Sequence, residues 1–191
     1  MSTYKTILQR RTIRKFKQES VPDLLLEKLV NAARVSPTGG NKQPFEYIAV
    51  KNADLREKLF KFLRWAAYIT PEGIPKENEK PAAYIVIIRN NSIGSATSGA
   101  DLGAAAMSIL LTAWEDGLGC CWIGSCDKKN IKKLLGVPDG REVECVIALG
   151  FRAEAPVMEE NDNDVKYYKD TNGVLHVPKK SFRTVAHREQ Y

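Results

Sequence analysis

Residues 36–45 read Ser36-Pro37-Thr38-Gly39-Gly40-Asn41-Lys42-Gln43-Pro44-Phe45 (SPTGGNKQPF). They are wedged between a helix-like segment, 24–35, and a strand-like one, 47–50. So polar and irregular a stretch cannot be core. Pro37 and Pro44 restrict φ and carry no N–H, whereas Gly39 and Gly40 permit positive φ and a close backbone approach. The composition predicts a stiff, donor-rich loop presented by two rigid elements, the usual setting for binding residues. In isolation such a loop is more often an ordinary connection, so its meaning depends on the rest of the chain.

Upstream, the 24–35 helix carries an apolar face of Leu25, Leu26, Leu29, Val30 and Ala33, and opens on Ser20, Pro22 and Asp23, an S-x-x-D start. Before it, residues 3–10 predict a short helix with Tyr4, Ile7 and Leu8 on one side. That helix runs into RRTIRKF, where Ile13 and Phe16 can anchor while Arg10, Arg11, Thr12 and Arg14 project elsewhere. Guanidinium groups and a hydroxyl so close in sequence can surround a phosphate or an anionic ring edge with charge-assisted hydrogen bonds.

Downstream, the 47–50 strand precedes a helix capped by Asp54, with Leu55, Leu59, Phe60 and Leu63 inward. Residues 70–81 (TPEGIPKENEKP) form a long loop that is either a lid, a binding loop or a surface excursion. Residues 82–89 read as a buried strand because branched residues run without interruption. The longest helix, 98–118, is capped by Ser98 with Asp101 three residues on, and is apolar nearly all round. It must be central, serving the core alone or the core and a subunit interface. Then follow a short apolar stretch, 117–125 (GLGCCWIGS), a lysine-rich helix, 127–135, and a last buried strand, 143–151. Beyond Arg152 the chain turns polar, and 165–170 with 174–177 flank Asn172-Gly173, a hairpin signal that would deliver Pro178, Lys179 and Lys180 to a defined place.

With 191 residues, 43% of them hydrophobic, the chain suits one compact domain. The net charge of +6 is local: residues 1–17 carry six basic side chains and no acid, and the other 23 basic residues match the 23 acids. One basic cluster without interleaved aromatics argues against nucleic acid and leaves a solvated terminus or a site for a phosphate-bearing small ligand. No apolar run is long enough to span a bilayer and the opening MSTYKTILQRR lacks a signal-peptide core, so a cytoplasmic protein with no membrane partner is expected. Cys120, Cys121, Cys126 and Cys145 form no CxxC pattern, so free thiols and no metal site are expected. The glycines of 117–125 fit neither a dinucleotide fingerprint nor a P-loop, since four residues separate Gly119 from Gly124 where the fingerprint has two, and the residue after Gly124 is Ser125 instead of lysine. No catalytic triad or paired carboxylates emerge, and His176 and His187 have no evident nucleophile.

Four segments together point one way: RRTIR, SPTGGNKQP, GLGCCWIGS and PKKS. In that order the chain resembles the FMN-dependent nitroreductase family, whose members show an Arg-Arg-Ser-x-Arg-x-Phe start, a Ser-Pro-Ser-Gly-x-Asn-x-Gln-Pro loop, a Gly-Leu-Gly-x-x-Trp-Ile-Gly stretch and a C-terminal basic pair. The resemblance implies an α+β fold, with a central mixed, mainly antiparallel sheet flanked by helices, in one domain over 1–191. It implies an intertwined homodimer with FMN sites at the interface, and a C-terminal extension, 152–191, that helps complete the site or the dimer. It further implies that Arg10, Arg11, Thr12 and Arg14 hold the FMN phosphate and the pyrimidine edge. Pro37, Thr38, Gly39, Asn41 and Gln43 would reach the flavin of the other subunit. Trp122, Ile123 and Gly124 would lie along the ring, with the Gly124 backbone near N5, and Lys179 or Lys180 would complete the phosphate site.

The implied activity is ping-pong oxidation of NADH or NADPH, with FMN carrying the hydride to a nitroaromatic, quinone or similar small-molecule acceptor and no catalytic side chain required. An arginine beside N1 and the C2 carbonyl would stabilise the reduced ring. A flavin-binding protein without turnover is the alternative on the same residues. Nucleic-acid binding would instead give a colourless protein with steep salt dependence. The chain departs from the family pattern at Thr12, at Lys179 and Lys180 where arginine is frequent, at Phe182, Arg183 and Thr184, and in a short 66–80 region.

Overall fold

The uninterrupted apolar runs become the two inner strands of a four-stranded sheet. In the computed structural model, which describes residues 2–93 and 98–191, α1 (Thr3–Gln9) and α2 (Asp23–Arg34) precede β1 (Phe45–Val50), α3 (Ala53–Phe60) and β2 (Ala83–Asn90). Then come α4 (Ser98–Glu115), β3 (Leu118–Ile123), α5 (Lys128–Leu134) and β4 (Arg141–Phe151). The sheet order is β1-β2-β4-β3, antiparallel at every pairing. Both faces of β2 are covered, which is why its sequence lacks alternation: Ile85 and Ile87 pack on one side with Leu29 and Ala33 of α2 and Ile109 of α4. Tyr84, Val86 and Ile88 pack on the other with Ile13, Phe16, Leu59 and Ile131.

The C-terminal part adds β5 (Val157–Glu160), β6 (Tyr168–Lys169), β7 (Leu175–Lys179) and α6 (Phe182–Val185). The expected hairpin exists as β6 against β7, shorter than its sequence pattern, and β5 lies parallel to β7 on the other side. The parallel component of the fold therefore sits in this small sheet. No helix of the described residues is long and apolar enough to cross a membrane.

Several element ends differ from the sequence reading. Asn52, not Asp54, caps α3, its carboxamide accepting from Leu55 N at 3.1 Å. Helix α2 starts after Pro22 with no side-chain cap, so Ser20 has no such role. Helix α4 ends at Glu115 because Gly117 turns the chain at φ 80° into β3; the expected Ser98 side-chain cap lies outside the described residues. In α1 the inward residue is Thr6, whose hydroxyl donates to Glu115 Oε1 at 3.2 Å, while Tyr4, Ile7 and Leu8 are exposed.

Candidate active site

Strand β3 positions the site. Its GLGCCWI sequence lets the N-terminal segment lie directly on it: Thr12 and Cys120 form a parallel bridge and Ile13 N donates to Cys120 O at 2.9 Å. This close approach explains a glycine that nucleotide motifs could not. A Cβ on Gly119 would lie 2.6 Å from Ile13 Cβ, so only glycine fits. Phe16 continues the contact through a bridge to Arg152, placing Arg10–Arg14 along the sheet edge.

A cavity of about 820 Å³ opens beside that edge, toward the large end for small-molecule sites. Arg14 and the Cys121–Ser125 segment line one part of it, and residues 60–74 the other. The two walls are laced together by a Leu63–Cys126 bridge, Arg64 N to Ser125 O at 3.0 Å and Asp127 N to Phe62 O at 2.8 Å. Trp122 is 38% exposed, and the Cβ position of Gly124 meets open space. Arg14 Nε is buried and has no hydrogen-bond partner among the described residues, while its guanidinium stacks over Tyr167 at 5.0 Å. Burial pushes the Cys121 thiol up to about 11 and the Cys145 thiol to about 12, so neither is a nucleophile near neutral pH.

The other expected phosphate ligands lie nearby. Arg10 is half-buried, and burial lowers its pKa. Arg11 is turned onto the carbonyls of Leu8 and Arg10 and onto Met158 Sδ of β5, at 3.1 Å for the sulfur. Along β5, Glu160 then pairs with Lys179 of β7, so the exposed Lys179 and Lys180 end up a few rungs from Arg11.

The 36–45 loop is elsewhere. None of its residues lines the large cavity; Thr38 and Gln43 border a separate one of about 120 Å³ with Tyr47 and Ala105. The loop is internally fixed: Thr38 Oγ1 accepts from Gln43 N at 3.0 Å, and the Gln43 carboxamide donates to Asn41. Gly40, Asn41 and Gln43 have φ of 59°, 53° and 49°, whereas Gly39 does not use its freedom. Gly39 N donates to the buried Asp101 of α4 at 3.0 Å. Left-handed backbone at an asparagine and a glutamine is unfavourable and marks functional loops. Pro37, Asn41 and Gln43 are exposed.

A sequence model of the nitroreductase family matches residues 7–151. The chain belongs to the nitroreductase family. Among its relatives is a protein of Methanothermobacter thermautotrophicus provisionally named an NADH dehydrogenase/NAD(P)H nitroreductase, 29% identical over 163 residues covering 82% of this chain and 80% of that protein. An FMN-dependent nitroreductase from Clostridium difficile superposes with a TM-score of 0.68 at 26% identity, covering 97% of this chain and 98% of that one. The Vibrio harveyi NADPH:FMN oxidoreductase gives 0.72 at 21%, covering 99% and 77%, a likeness of fold.

The residues of this nitroreductase fit FMN. A buried guanidinium nitrogen without a partner, a glycine whose Cβ side is open, and a half-exposed indole border one cavity. Sequence reasoning missed Asp101 as an anchor of the loop, Tyr167 against Arg14, and the 60–74 wall. Only Asp101 had a signal, an acid in the first turn of an apolar helix. The 70–81 segment is not a free lid, because Phe16 N donates to Glu79 O at 3.0 Å and Lys15 pairs with Glu79 at 2.9 Å.

Proposed function

We propose that this nitroreductase is an FMN-dependent NAD(P)H oxidoreductase whose donor and acceptor use the 820 Å³ cavity in turn, a ping-pong order. The observation that carries the reading is Arg14, with its unpartnered Nε, sharing that cavity with Trp122 and Gly124. FMN, when bound, supplies the redox chemistry, taking a hydride from NAD(P)H and delivering two electrons to a nitroaromatic, quinone or similar acceptor. Arg14 would place a positive charge where the reduced ring becomes negative. Gly124 leaves its backbone accessible to the ring, and Trp122 and Ile123 pack along it. Arg10, Arg11 and Thr12 hold the phosphate with Lys179 or Lys180. Arg10 is the stronger ligand of the two arginines, since Arg11 already serves backbone carbonyls.

The site is completed by a second copy. Within one protomer, the loop bearing Pro37, Thr38, Gly39, Asn41 and Gln43 lines none of the cavity that holds Arg14. The α1 side chains Tyr4, Ile7 and Leu8 are 71%, 48% and 46% exposed, and Phe182 in the C-terminal extension is 79% exposed. Apolar surface of this kind is normally covered by a partner.

The purified protein should be yellow, and anaerobic NADH or NADPH should bleach it. Added acceptor should then restore the oxidised spectrum. A yellow protein that neither donor bleaches is a flavin binder without turnover, and a colourless one that does not take up FMN sinks the proposal.

A further inference from the structure

The wall of the cavity opposite Arg14 carries chemistry that the cofactor assignments leave unused. Among the described side chains lining the cavity, Arg14, Lys61 and Arg64 are cationic and none is acidic. Lys61 and Arg64 are both exposed. In sequence they stand between Phe60 and Trp65, whose ring centroids are 5.6 Å apart with planes inclined by 32°. Several of the neighbouring acids are already paired. Lys80 takes Glu57 and Glu77 at 2.7 Å each, and Lys15 takes Glu79 at 2.9 Å. Asp127 feels the Arg64 charge, but both its oxygens accept from Asn130, at 3.0 and 2.7 Å.

This wall is also firmly built. Ala66 holds a left-handed backbone at φ 37°, and Gly73 is so close that a Cβ there would lie 2.3 Å from Ala66 Cβ. Two exposed cations and a packed aromatic pair thus share this wall.

We propose that this wall selects the electron acceptor: it takes flat aromatic acceptors that carry an anionic substituent, with Lys61 and Arg64 receiving the anion and Phe60 and Trp65 receiving the ring. The proposal rests on the functional reading above, and it narrows the acceptor class. The physical case is one of differential affinity. An anionic and a neutral ring of the same shape bury the same apolar area, so, with Arg14 assigned to the flavin ring, Lys61 and Arg64 separate them. Each exposed pair is modest, so their sum predicts a preference of roughly 3- to 20-fold in kcat/KM at low salt, shrinking as ionic strength rises.

The test compares 4-nitrobenzoate with 4-nitrobenzyl alcohol as acceptors of the FMN-loaded enzyme. The expected kcat/KM ratio favours the anion, declines in 0.5 M NaCl, and falls to about one in the Lys61→Gln/Arg64→Gln variant. Lys133→Gln on α5, which does not line the cavity, should keep the wild-type ratio. A ratio of one or below in the wild type, or one that the double variant leaves unchanged, overturns the proposal. So does a double variant that alters the NADPH-to-NADH preference and not the acceptor ratio, because the cations would then read the phosphate of the donor. A second arm needs no turnover: benzoate and benzyl alcohol are titrated against tryptophan fluorescence, since Trp65 and Trp122 line the cavity. Benzoate binding tighter than the alcohol, with loss in the double variant, supports the anion site even if NAD(P)H oxidation fails, which would sink only the functional reading. Equal binding of the two overturns the anion site itself.

Discussion

Gly119 sits where the N-terminal segment crosses β3, and its role is purely steric. The atom a larger residue would strike is the branched Cβ of Ile13, with both γ carbons at 2.7 Å, so no rotamer change relieves the clash. Ile13 is itself fully buried and fixes the path of Arg10 to Arg14. Gly119→Ala should therefore cost about 1–3 kcal/mol, the range for overpacking a filled core, measured by urea unfolding. Displacing this segment should also weaken FMN retention, readable as flavin released on gel filtration. The buried Asp101 acts on the other side of the molecule. Removing its carboxylate in Asp101→Ala orphans Gly39 N, and an unmade buried hydrogen bond costs about 1–3 kcal/mol. The expected outcome is a lowered urea midpoint with the slope unchanged.

The elements that were legible in the sequence are those whose signal is local. Strands β2 and β4 announce themselves by continuous branched runs, and β7 by the Asn172-Gly173 turn before it. Elements fixed by distant pairing were not legible. β5 is four residues long and is defined by parallel pairing to β7 across the turn. The cavity wall depends on Leu63 bridging Cys126, a contact with no periodicity to reveal it. Likewise, Asn52 and Asp54 are both good caps, and only the backbone entry angle chose between them. The C-terminal sheet shows how such distant contacts carry charge. His176 of β7 lies between Glu159 of β5, at 3.0 Å from Nδ1, and Asp170, at 3.5 Å from Nε2, with the Tyr168 ring stacked on it at 4.9 Å. Its hydrogen bond to Glu159, and secondarily that to Asp170, raises its pKa above 6.5. A raised folded-state pKa means that the stabilisation is complete below the unfolded value of about 6.5 and disappears as pH rises through the folded value. Amide exchange in β5–β7, corrected for the chemical rate, should thus show protection that declines with rising pH. His176→Gln should remove that pH dependence, and a slope that persists in the variant would assign it to other groups.

At the scale of the whole molecule, the two groups of residues proposed to bind FMN are built by separate scaffolds. The cationic N-terminal segment and β3 border one cavity, whereas the 36–45 loop is clamped to α4 through Asp101 and borders another. That loop is braced by its own hydrogen bonds and pinned to α4 through Asp101. On the proposed reading a second copy resolves the separation, with each loop supplying the other protomer's cofactor. Cofactor retention then becomes a property of the dimer and is linked to its concentration by mass action. Dilution of the yellow protein should release FMN along the same curve that sedimentation gives for dimer dissociation, followed by the rise in free-flavin fluorescence. Ile7→Glu with Leu8→Glu, which charge the exposed face of α1 without touching the core, should shift both curves together to higher protein concentration. FMN that stays bound to a folded monomer would show instead that one protomer completes the site alone.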